Sequence, residues 1–343
     1  MNLLERNVST IVESAKWPNL EGKKVLVTGG TGLVGIHMAG FFAAMGAYVE
    51  AIYKVEPSQK HLDIMYPIDL MQFDLANDVM EDYPMFDYII HAAGYSSPAV
   101  FIKDPLSTIA VNASCVRKLF NQLVPGGKFL YISSDAVYSG NKNEVHRETD
   151  IGSTPLDDPR AGYIESKKLG EIITHQLGGH IVRLSYAYGL GPKLNDARVL
   201  NSFITQALTT GKIVLHDTGQ AIRSWLYITD AVEMMLKVLF HGNPGEAYNI
   251  ANVKRHKYSI RDLASLIANL TDTCFEVSPS NDEVVKSAPV SHMLSIDKYE
   301  AQFGTRRFTH LLYGLERTIS WYRYLLGKDQ PIQKYSSEIN PHV

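Results

Sequence analysis

Cysteine is almost absent from this sequence: its 343 residues include only Cys115 and Cys274. Neither belongs to a Cys-x-x-Cys pair, so a disulfide framework and a zinc site are both disfavoured. No run of about 18 apolar residues is present, so no membrane-spanning helix is predicted. Glu5 and Arg6 come early, without an apolar leader segment, so no signal peptide is predicted. Together these absences predict a cytoplasmic protein without a membrane partner.

Long stretches of one charge are missing as well. The net charge is −3, from 33 Lys and Arg against 36 Asp and Glu, and no basic stripe runs through the chain. A nucleic-acid partner is therefore not expected. The 12 histidines show no metal-ligand spacing, so no metal site is predicted. With 45% hydrophobic and 20% charged residues, the chain can form one large or two modest folded domains.

What the sequence does contain is a strand, a turn and a helix near its start. The apolar run 25–27 leads into glycines at 29, 32 and 35, and an apolar stretch follows to about Met45. Such glycines let the backbone approach a pyrophosphate, and the helix N-terminus offers it unpaired N–H groups. The alternative, an ordinary glycine-rich turn, is disfavoured by the strand and helix on either side. The predicted cofactor contacts in this turn are Gly29, Thr31, Gly32, Leu33, Val34 and Gly35.

Strand and helix patterns alternate through the first half of the chain. Strands are predicted at 24–28, 48–53, 86–93, 128–133 and 180–185, and helices at 33–45, 105–123 and 159–177. This alternation predicts an α/β protein with a doubly wound parallel sheet of Rossmann type. After Tyr186 the alternation breaks down, which predicts a second, smaller, mixed α/β substrate domain. The predicted divisions are an N-terminal extension (1–22), a dinucleotide-binding domain (23–185), a substrate domain interleaved with it (186–326) and a tail (327–343).

Tyr163 and Lys167 lie four residues apart in one predicted helix and so share a face. A positive charge beside a tyrosine favours the phenolate, which can then act as a base. The spacing alone is common on solvated helix faces. Here, however, the helix follows the strand that ends at Ser134, and ligands bind at the carboxyl ends of parallel strands. Ser134 is therefore expected to lie beside Tyr163 and to bond the same substrate hydroxyl.

These pieces together resemble the extended short-chain dehydrogenase/reductase family, whose members act mostly on nucleotide-linked sugars. The resemblance rests on the glycine turn, on the run 91–93 after a strand, and on Ser134, Tyr163 and Lys167. Within that family the sequence is similar to UDP-glucuronate decarboxylases in the runs 96–98, 159–161 and 194–199. The resemblance implies a bound NAD, a nucleotide-sugar substrate and a homodimer.

The resemblance also implies roles for residues at the ends of neighbouring strands. The implied cofactor contacts, besides those of the glycine turn, are Tyr53, Lys54, Asp74, Leu75, Ala92, Ala93, Gly94, Asn112, Tyr163 and Lys167. The implied substrate contacts are Ser96, Ser134, Arg198 and Arg223. Two alternatives stay open, since Arg198 can instead cap the helix that it starts and Arg223 can form an ion pair between domains. His91 ends a buried strand and is expected to be a packed histidine rather than a catalyst.

Two positions depart from the family pattern. The decarboxylases and 4,6-dehydratases carry a Glu where this chain has Ala136, and a methyl group cannot accept a proton. Asp135 falls where the dehydratases place a general acid and is predicted to be catalytic. NAD-specific members end the second strand with an Asp, whereas Tyr53 and Lys54 stand here. NADP is therefore the alternative cofactor, with Lys54 either meeting its 2′-phosphate or lying solvated on the surface.

The predicted reaction begins with oxidation of the sugar at C4. Tyr163 takes the proton of the C4 hydroxyl, hydride passes to the nicotinamide, and Lys167 lowers the pKa of the tyrosine and holds the nicotinamide ribose. Epimerisation or dehydration is the main predicted outcome. Decarboxylation of a glucuronate, net C4 dehydrogenation and 4-keto reduction are alternatives. A non-catalytic nucleotide-binding protein is disfavoured because Ser134, Tyr163 and Lys167 are all retained.

The implied homodimer would pair the helices 105–123 and 159–177 of two subunits. The apolar residues proposed for this face, at helical spacing, are Ile109, Val116, Leu119 and Phe120. Packing of the same residues within one subunit is the alternative.

Overall fold

The computed structural model describes residues 2–78, 83–252, 257–279 and 293–328. Its strands, in chain order, are β1 Lys24–Thr28, β2 Tyr48–Tyr53, β3 Asp69–Gln72, β4 Phe86–His91, β5 Leu123–Ser134, β6 His180–Leu184, β7 Ala187–Tyr188, β8 Lys212–Leu215, β9 Ile222–Ser224, β10 Leu226–Tyr227, β11 Ala247–Ile250, β12 Lys257–Ser259 and β13 Cys274–Val277. The predicted tail, apart from Gly327 and Lys328, lies outside the described residues.

The described α-helices complete the inventory of elements. In chain order they are α1 Leu3–Glu13, α2 Leu33–Ala44, α3 Gln59–Leu62, α4 Pro98–Phe101, α5 Pro105–Ile109, α6 Cys115–Phe120, α7 Ala161–Gln176, α8 Val199–Thr210, α9 Ile228–His241, α10 Ile260–Thr271, α11 Asp297–Phe303 and α12 Leu311–Leu326. None of these described helices is long and apolar enough to cross a lipid bilayer.

Seven strands form one sheet in the order β11-β6-β5-β4-β1-β2-β3, and every neighbouring pair is parallel. The chain moves outward from β1 to β3 on one side and from β4 to β11 on the other. The order reverses between β1 and β4, where the carboxyl ends of the strands leave a crevice. This confirms the predicted doubly wound α/β fold and places β1 and its glycine turn at the crevice.

The N-terminal extension is an ordered part of the core. Helix α1 begins with a capping box, in which Asn2 and Glu5 bond each other's backbone N–H groups. Its apolar face, formed by Leu4, Val8 and Ile11, is buried within the main hydrophobic cluster. The extension thus covers helix α2, which follows the glycine turn.

Elements from the range 186–326 contribute both to the main sheet and to the smaller sheets. Strand β11 forms the edge of the main sheet, beside β6. The remaining small sheets pair β7 with β10, β9 with β12, and β8 with β13. The segment 185–198 is therefore anchored to the main sheet at β6 and, through β7, to one of these smaller pairs.

One predicted helix differs from the structure. The segment 105–123 contains a π-helical turn, Ala110–Ser114, between α5 and α6, and α6 ends at Phe120. Strand β5 begins at Leu123, before the position predicted for it. The run 125–127 resembles a turn, but it continues into the strand through a register shift against β4.

Two of the four apolar residues proposed as a dimer face lie inside the subunit. Val116 and Leu119 are fully buried, in a cluster that includes Phe129 of β5. For these two, the alternative of packing within one subunit is correct. Helices α5 and α7 instead expose other apolar side chains, namely Leu106 (78%), Leu169 (46%) and Ile172 (57%).

Candidate active site

The turn after β1 brings the backbone of two loops into direct contact. Gly29 has φ +66°, and a Cβ there would lie 2.9 Å from both Cα and N of Ala93. A Cβ on Gly35 would lie 2.1 Å from the Gly29 carbonyl oxygen. Gly32 is the N-cap residue of α2 and has an extended backbone conformation. It provides no side-chain cap, so the first-turn N–H groups of the helix are left for a ligand.

A buried relay holds the other wall of this turn. The backbone N–H of Ala93 donates to Thr28 Oγ1 (3.0 Å), and Thr28 Oγ1 lies 2.8 Å from His91 Nδ1. His91 Nε2 lies 2.9 Å from the carbonyl of Val111, so the ring links β1, β4 and the π-helical turn. Burial lowers the pKa of His91 to about 3, so the ring is neutral at pH 7. His91 is thus a packed histidine, as the sequence indicates.

A cleft with a volume of about 200 Å³ opens beside the glycine turn. Ten predicted cofactor residues line it: Gly29, Thr31, Gly32, Tyr53, Lys54, Asp74, Leu75, Ala92, Ala93 and Gly94. Ile52, Phe73, Tyr95 and Val111 complete the lining. Leu33, Val34 and Gly35 form the first turn of α2, directly after the lining residue Gly32.

Lys54 spans this cleft. Its Nζ lies 2.9 Å from Asp74 Oδ2 and donates to the Tyr95 hydroxyl at 2.8 Å. Lys54 follows β2 and Tyr95 follows β4, with β1 between those strands, so the bond crosses the carboxyl end of β1. The hydrogen bond that Lys54 donates to Tyr95 and the neighbouring Asp74 carboxylate raise the pKa of Lys54 above its usual range. The Lys54 ammonium is therefore paired at the cleft, on a side chain that is 41% exposed. Tyr53 instead points its hydroxyl to Glu56, at 2.9 Å.

Lys167 and Asn112 lie behind Gly94, which lines the cleft. A Cβ on Gly94 would lie 3.3 Å from Asn112 Oδ1 and 3.5 Å from Lys167 Nζ, so both polar atoms face the loop after β4. Asn112 Oδ1 is buried and has no hydrogen-bond partner among the described residues. Lys167 Nζ donates to the carbonyl of Ile132 at 2.9 Å, and burial lowers its pKa to about 8. These polar groups suit a ligand that brings its own hydroxyl or amide groups.

Tyr163 is the third residue of α7, and its side chain is buried, with 8% exposure. Its ring stacks on Phe101, with centroids 4.4 Å apart. Burial raises the pKa of the phenol, while a hydrogen bond with Ser134 lowers it. The charges that favour the phenolate are those of Arg160 and Arg198. Lys167, which the sequence indicates for this role, directs its ammonium to the Ile132 carbonyl instead.

Asp135 is connected to the same hydroxyl group. Ser134 Oγ donates to Asp135 Oδ1 at 3.1 Å, and Ser185 Oγ donates to Oδ2 at 3.1 Å. Ala136, where the resembled enzymes carry a Glu, is 4% exposed and packs in a small cluster with Phe101 and Tyr163. Tyr163 thus comes from α7, whereas Asp135 and the two serines that bond it come from the ends of β5 and β6.

The remaining predicted substrate residues are distributed around this centre. Arg198 is the N-cap residue of α8 and forms a bidentate ion pair with Asp196, at 3.0 and 2.5 Å. Arg223 lies buried on β9, with its guanidinium carbon 5.0 Å from the ring centroid of Tyr186. Ser96 is exposed on the loop after β4.

The sequence did not predict four residues of the candidate site: Tyr95, Phe101, Arg160 as a charge near Tyr163, and Tyr186. The only signal for Tyr95 is its position just after a strand end. Among the described residues, no group of three or more His, Cys, Asp or Glu side chains forms a metal site. A buried base beside a hydroxyl and a carboxylate, next to a cleft that fits a dinucleotide, suits proton abstraction coupled to hydride transfer.

The sequence matches known proteins over most of its length. Residues 25–251 match the NAD dependent epimerase/dehydratase family. The chain is 27% identical over 310 residues to UDP-glucuronic acid decarboxylase 1 of Xenopus tropicalis, which covers 88% of this chain and 72% of that protein. It is 27% identical over 343 residues to dTDP-D-glucose 4,6-dehydratase of Bos taurus, with 92% and 93% covered.

A solved structure supports the fold. The epimerase of Methanothermobacter thermautotrophicus matches with a TM-score of 0.76 at 23% identity, over 94% of this chain and 96% of that one. At that identity the likeness concerns the fold alone. The family match extends from β1 to β11, which is the whole seven-stranded sheet. The chain therefore belongs to the NAD dependent epimerase/dehydratase family.

Proposed function

We propose that this protein modifies a nucleotide-linked sugar by first oxidising its C4 hydroxyl, with NAD as the bound hydride acceptor. One observation carries the proposal: the Tyr163 phenol is buried, hydrogen-bonded to Ser134, and located beside a cleft shaped by the glycine turn. Family membership supplies the cofactor class.

The cleft fits the dinucleotide on structural grounds. A Cβ at Gly29 or Gly35 would collide with neighbouring backbone, so these glycines allow the tight turn that directs the first-turn N–H groups of α2 to a pyrophosphate. Asn112 Oδ1 and Lys167 Nζ would bond the nicotinamide end, and Asp74 the adenosine end. When bound, NAD supplies the site that takes up hydride from C4.

The side chains of this protein do the proton chemistry. Ser134 orients the C4 hydroxyl, and Tyr163 in its phenolate form takes the proton from that oxygen. Arg160 and Arg198 favour the phenolate by charge, against the burial that disfavours it. Asp135, held by Ser134 and Ser185, is placed to give or take a proton at a neighbouring sugar position.

Epimerisation or dehydration is the outcome that we favour. Ala136 removes the Glu that takes the C5 proton in the resembled dehydratases, which weakens a standard dehydratase, while epimerisation needs no additional acid. Decarboxylation of a glucuronate is the second candidate, because the Xenopus relative carries that name. Mass spectrometry of products from UDP-, GDP-, CDP- and dTDP-linked sugars identifies dehydration by the loss of water and decarboxylation by the loss of carbon dioxide. Epimerisation leaves the mass unchanged and is identified by chromatographic separation of the sugar isomers.

Replacing Tyr163 by Phe tests the proposal itself. Loss of the phenol should lower turnover by about 10²–10⁴-fold and leave bound NAD unchanged. Because the phenol pKa is raised, wild-type turnover should increase with alkaline pH, and the variant should lose that increase. Tyr299→Phe is the matched control, since Tyr299 is buried on α11 and its hydroxyl bonds no described residue. Near-normal turnover by Tyr163→Phe would refute the proposal.

A homodimer and the two-domain division are further proposals. Exposed Leu106, Leu169 and Ile172 on α5 and α7 support an apolar subunit contact on those helices. Light scattering at micromolar concentration tests it, and a strict monomer would contradict it. Residues 23–185 and 186–326 remain our proposed cofactor and substrate domains. The cytoplasmic location stays a prediction from the sequence.

A further inference from the structure

Tyr186, directly after β6 and Ser185, has an unusual backbone. Its φ is +38°, in the left-handed region. Among the described residues, Asp272 is the other non-glycine residue with positive φ, and it serves as the C-cap of α10. Asp is one of the residue types that tolerate this conformation, whereas a tyrosine does so at an energetic cost. Strain of this kind persists where surrounding contacts enforce it, often at functional sites.

The ring of Tyr186 is held by contacts on the substrate side. The guanidinium carbon of Arg223 lies 5.0 Å from the ring centroid, within the range of a cation–π interaction. The indole of Trp225 meets the same ring edge-on, with centroids 5.8 Å apart. Arg223 and Trp225 belong to β9 and the residue after it, so the ring joins β6 to that second strand.

Tyr186 also adjoins the catalytic group. Its neighbour Ser185 donates to Asp135, whose other oxygen accepts from Ser134. The Asp135 and Arg160 charges act on the Tyr186 phenol, which places it beside the base cluster. The strained residue therefore lies between the carboxylate at the reacting end and Arg223 at the other.

We propose that Tyr186 is a positioning residue that fixes the plane of the Arg223 guanidinium against the diphosphate of the nucleotide-linked substrate. The ring contact and a side-chain hydrogen bond between Arg223 and the Tyr186 hydroxyl hold the planar guanidinium in one orientation, which suits bidentate recognition of phosphate oxygens. This inference rests on the proposed function, because it requires a diphosphate substrate.

Four variants test the proposal in the NAD-loaded protein, with UDP, dTDP, GDP and CDP as probes in isothermal titration calorimetry. Tyr186→Phe removes the hydroxyl that bonds Arg223 but keeps the ring, and should bind the preferred diphosphate within about threefold of wild type because the ring contact remains. Tyr186→Leu keeps apolar volume but has no π face, and should bind about 3- to 30-fold more weakly. Bound NAD, read from the absorbance of released cofactor, should be equal in all variants.

The strain has its own measurement. Tyr186→Gly and Tyr186→Ala both lack the ring, so the difference between their melting temperatures reports the backbone alone. Gly should melt higher than Ala, the reverse of their order at a relaxed position, because Gly adopts positive φ freely.

The outcomes separate the two proposals. If wild type binds a diphosphate and Tyr186→Leu binds it equally well, the role of Tyr186 is refuted while the proposed function stands. If wild type retains NAD but binds none of the four diphosphates, the nucleotide-sugar function is refuted, and this inference falls with it. A higher melting temperature for Ala than for Gly would refute the strain.

Discussion

The two sides of the cleft are held in place by different kinds of contact. On the proposed cofactor side, contacts run from backbone to backbone, as where Gly29 meets Ala93 with no space for a Cβ. On the proposed substrate side, contacts run between side chains, as where Ser134 and Ser185 both donate to Asp135. A backbone contact needs one residue type at one position, whereas a side-chain network needs several residues from distant parts of the chain.

The substrate side rests on a buried network that extends this contrast. Arg183 forms a bidentate pair with Glu171 and also donates to the Tyr138 hydroxyl at 2.8 Å. Glu171 accepts from Ser133, and Tyr138 donates to Asn249 at 2.6 Å. The network ties β5, α7, β6 and β11 together directly behind the catalytic groups. The contrast predicts that removing a side-chain group disrupts the structure of the substrate side, whereas adding a side-chain group disrupts the structure of the cofactor side.

The largest effect is expected from Glu171→Leu. Removing this carboxylate leaves the Arg183 guanidinium buried without its ion-pair partner, so we expect a loss of about 3–5 kcal/mol in unfolding free energy. Urea denaturation measures this. Glu165→Leu on the same helix is the control, because Glu165 pairs with Lys168 while 40% exposed, and the loss there should stay below about 1 kcal/mol. Equal losses would show that the buried network does not support the substrate side.

Gly29→Ala should come next. The added methyl meets the Ala93 backbone at 2.9 Å and forces a left-handed alanine, so NAD retention should be lost together with about 2–4 kcal/mol of stability. Gly126→Ala is matched in φ, +79°, but has nothing within 4 Å of the new Cβ. It should cost only about 1–2 kcal/mol and keep NAD. If both variants behaved alike, the close approach would have no role beyond strain.

The smallest effect is expected from Lys54→Met, which sharpens the comparison by removing a side-chain contact from the backbone-built side. Loss of the bridge from Lys54 to Asp74 and Tyr95 should speed NAD dissociation about three- to tenfold, measured by stopped-flow fluorescence of bound NADH. Lys23→Met removes a 2.9 Å ion pair with Asp87, which lies outside the cleft lining, and should leave the rate of NAD dissociation unchanged. Tighter NADPH binding by wild type than by Lys54→Met, without such a difference for NADH, would instead assign Lys54 to a 2′-phosphate.

The sequence predicted the sheet and the glycine turn well for a local reason. Apolar strands followed by helices have few alternative packings, and the order of the parallel strands follows once crossovers are right-handed. The break in helix 105–123 was not predicted, because the π-helical turn at Asn112 arises where that helix meets α7 and β5. Likewise the burial of Val116 and Leu119 depends on which face of the helix meets the sheet.

The sequence by itself determined the strand–turn–helix unit at Gly29–Gly35, the pairing of Tyr163 with Lys167 on one helix, and their place at a strand end, because these follow from short-range periodicity and backbone sterics. Only the tertiary structure decided which charges surround Tyr163, that Lys54 reaches Tyr95, and that Tyr186 meets Arg223. Those contacts join residues far apart in the chain, and no local pattern specifies the distance between two side chains until the strands that carry them are packed.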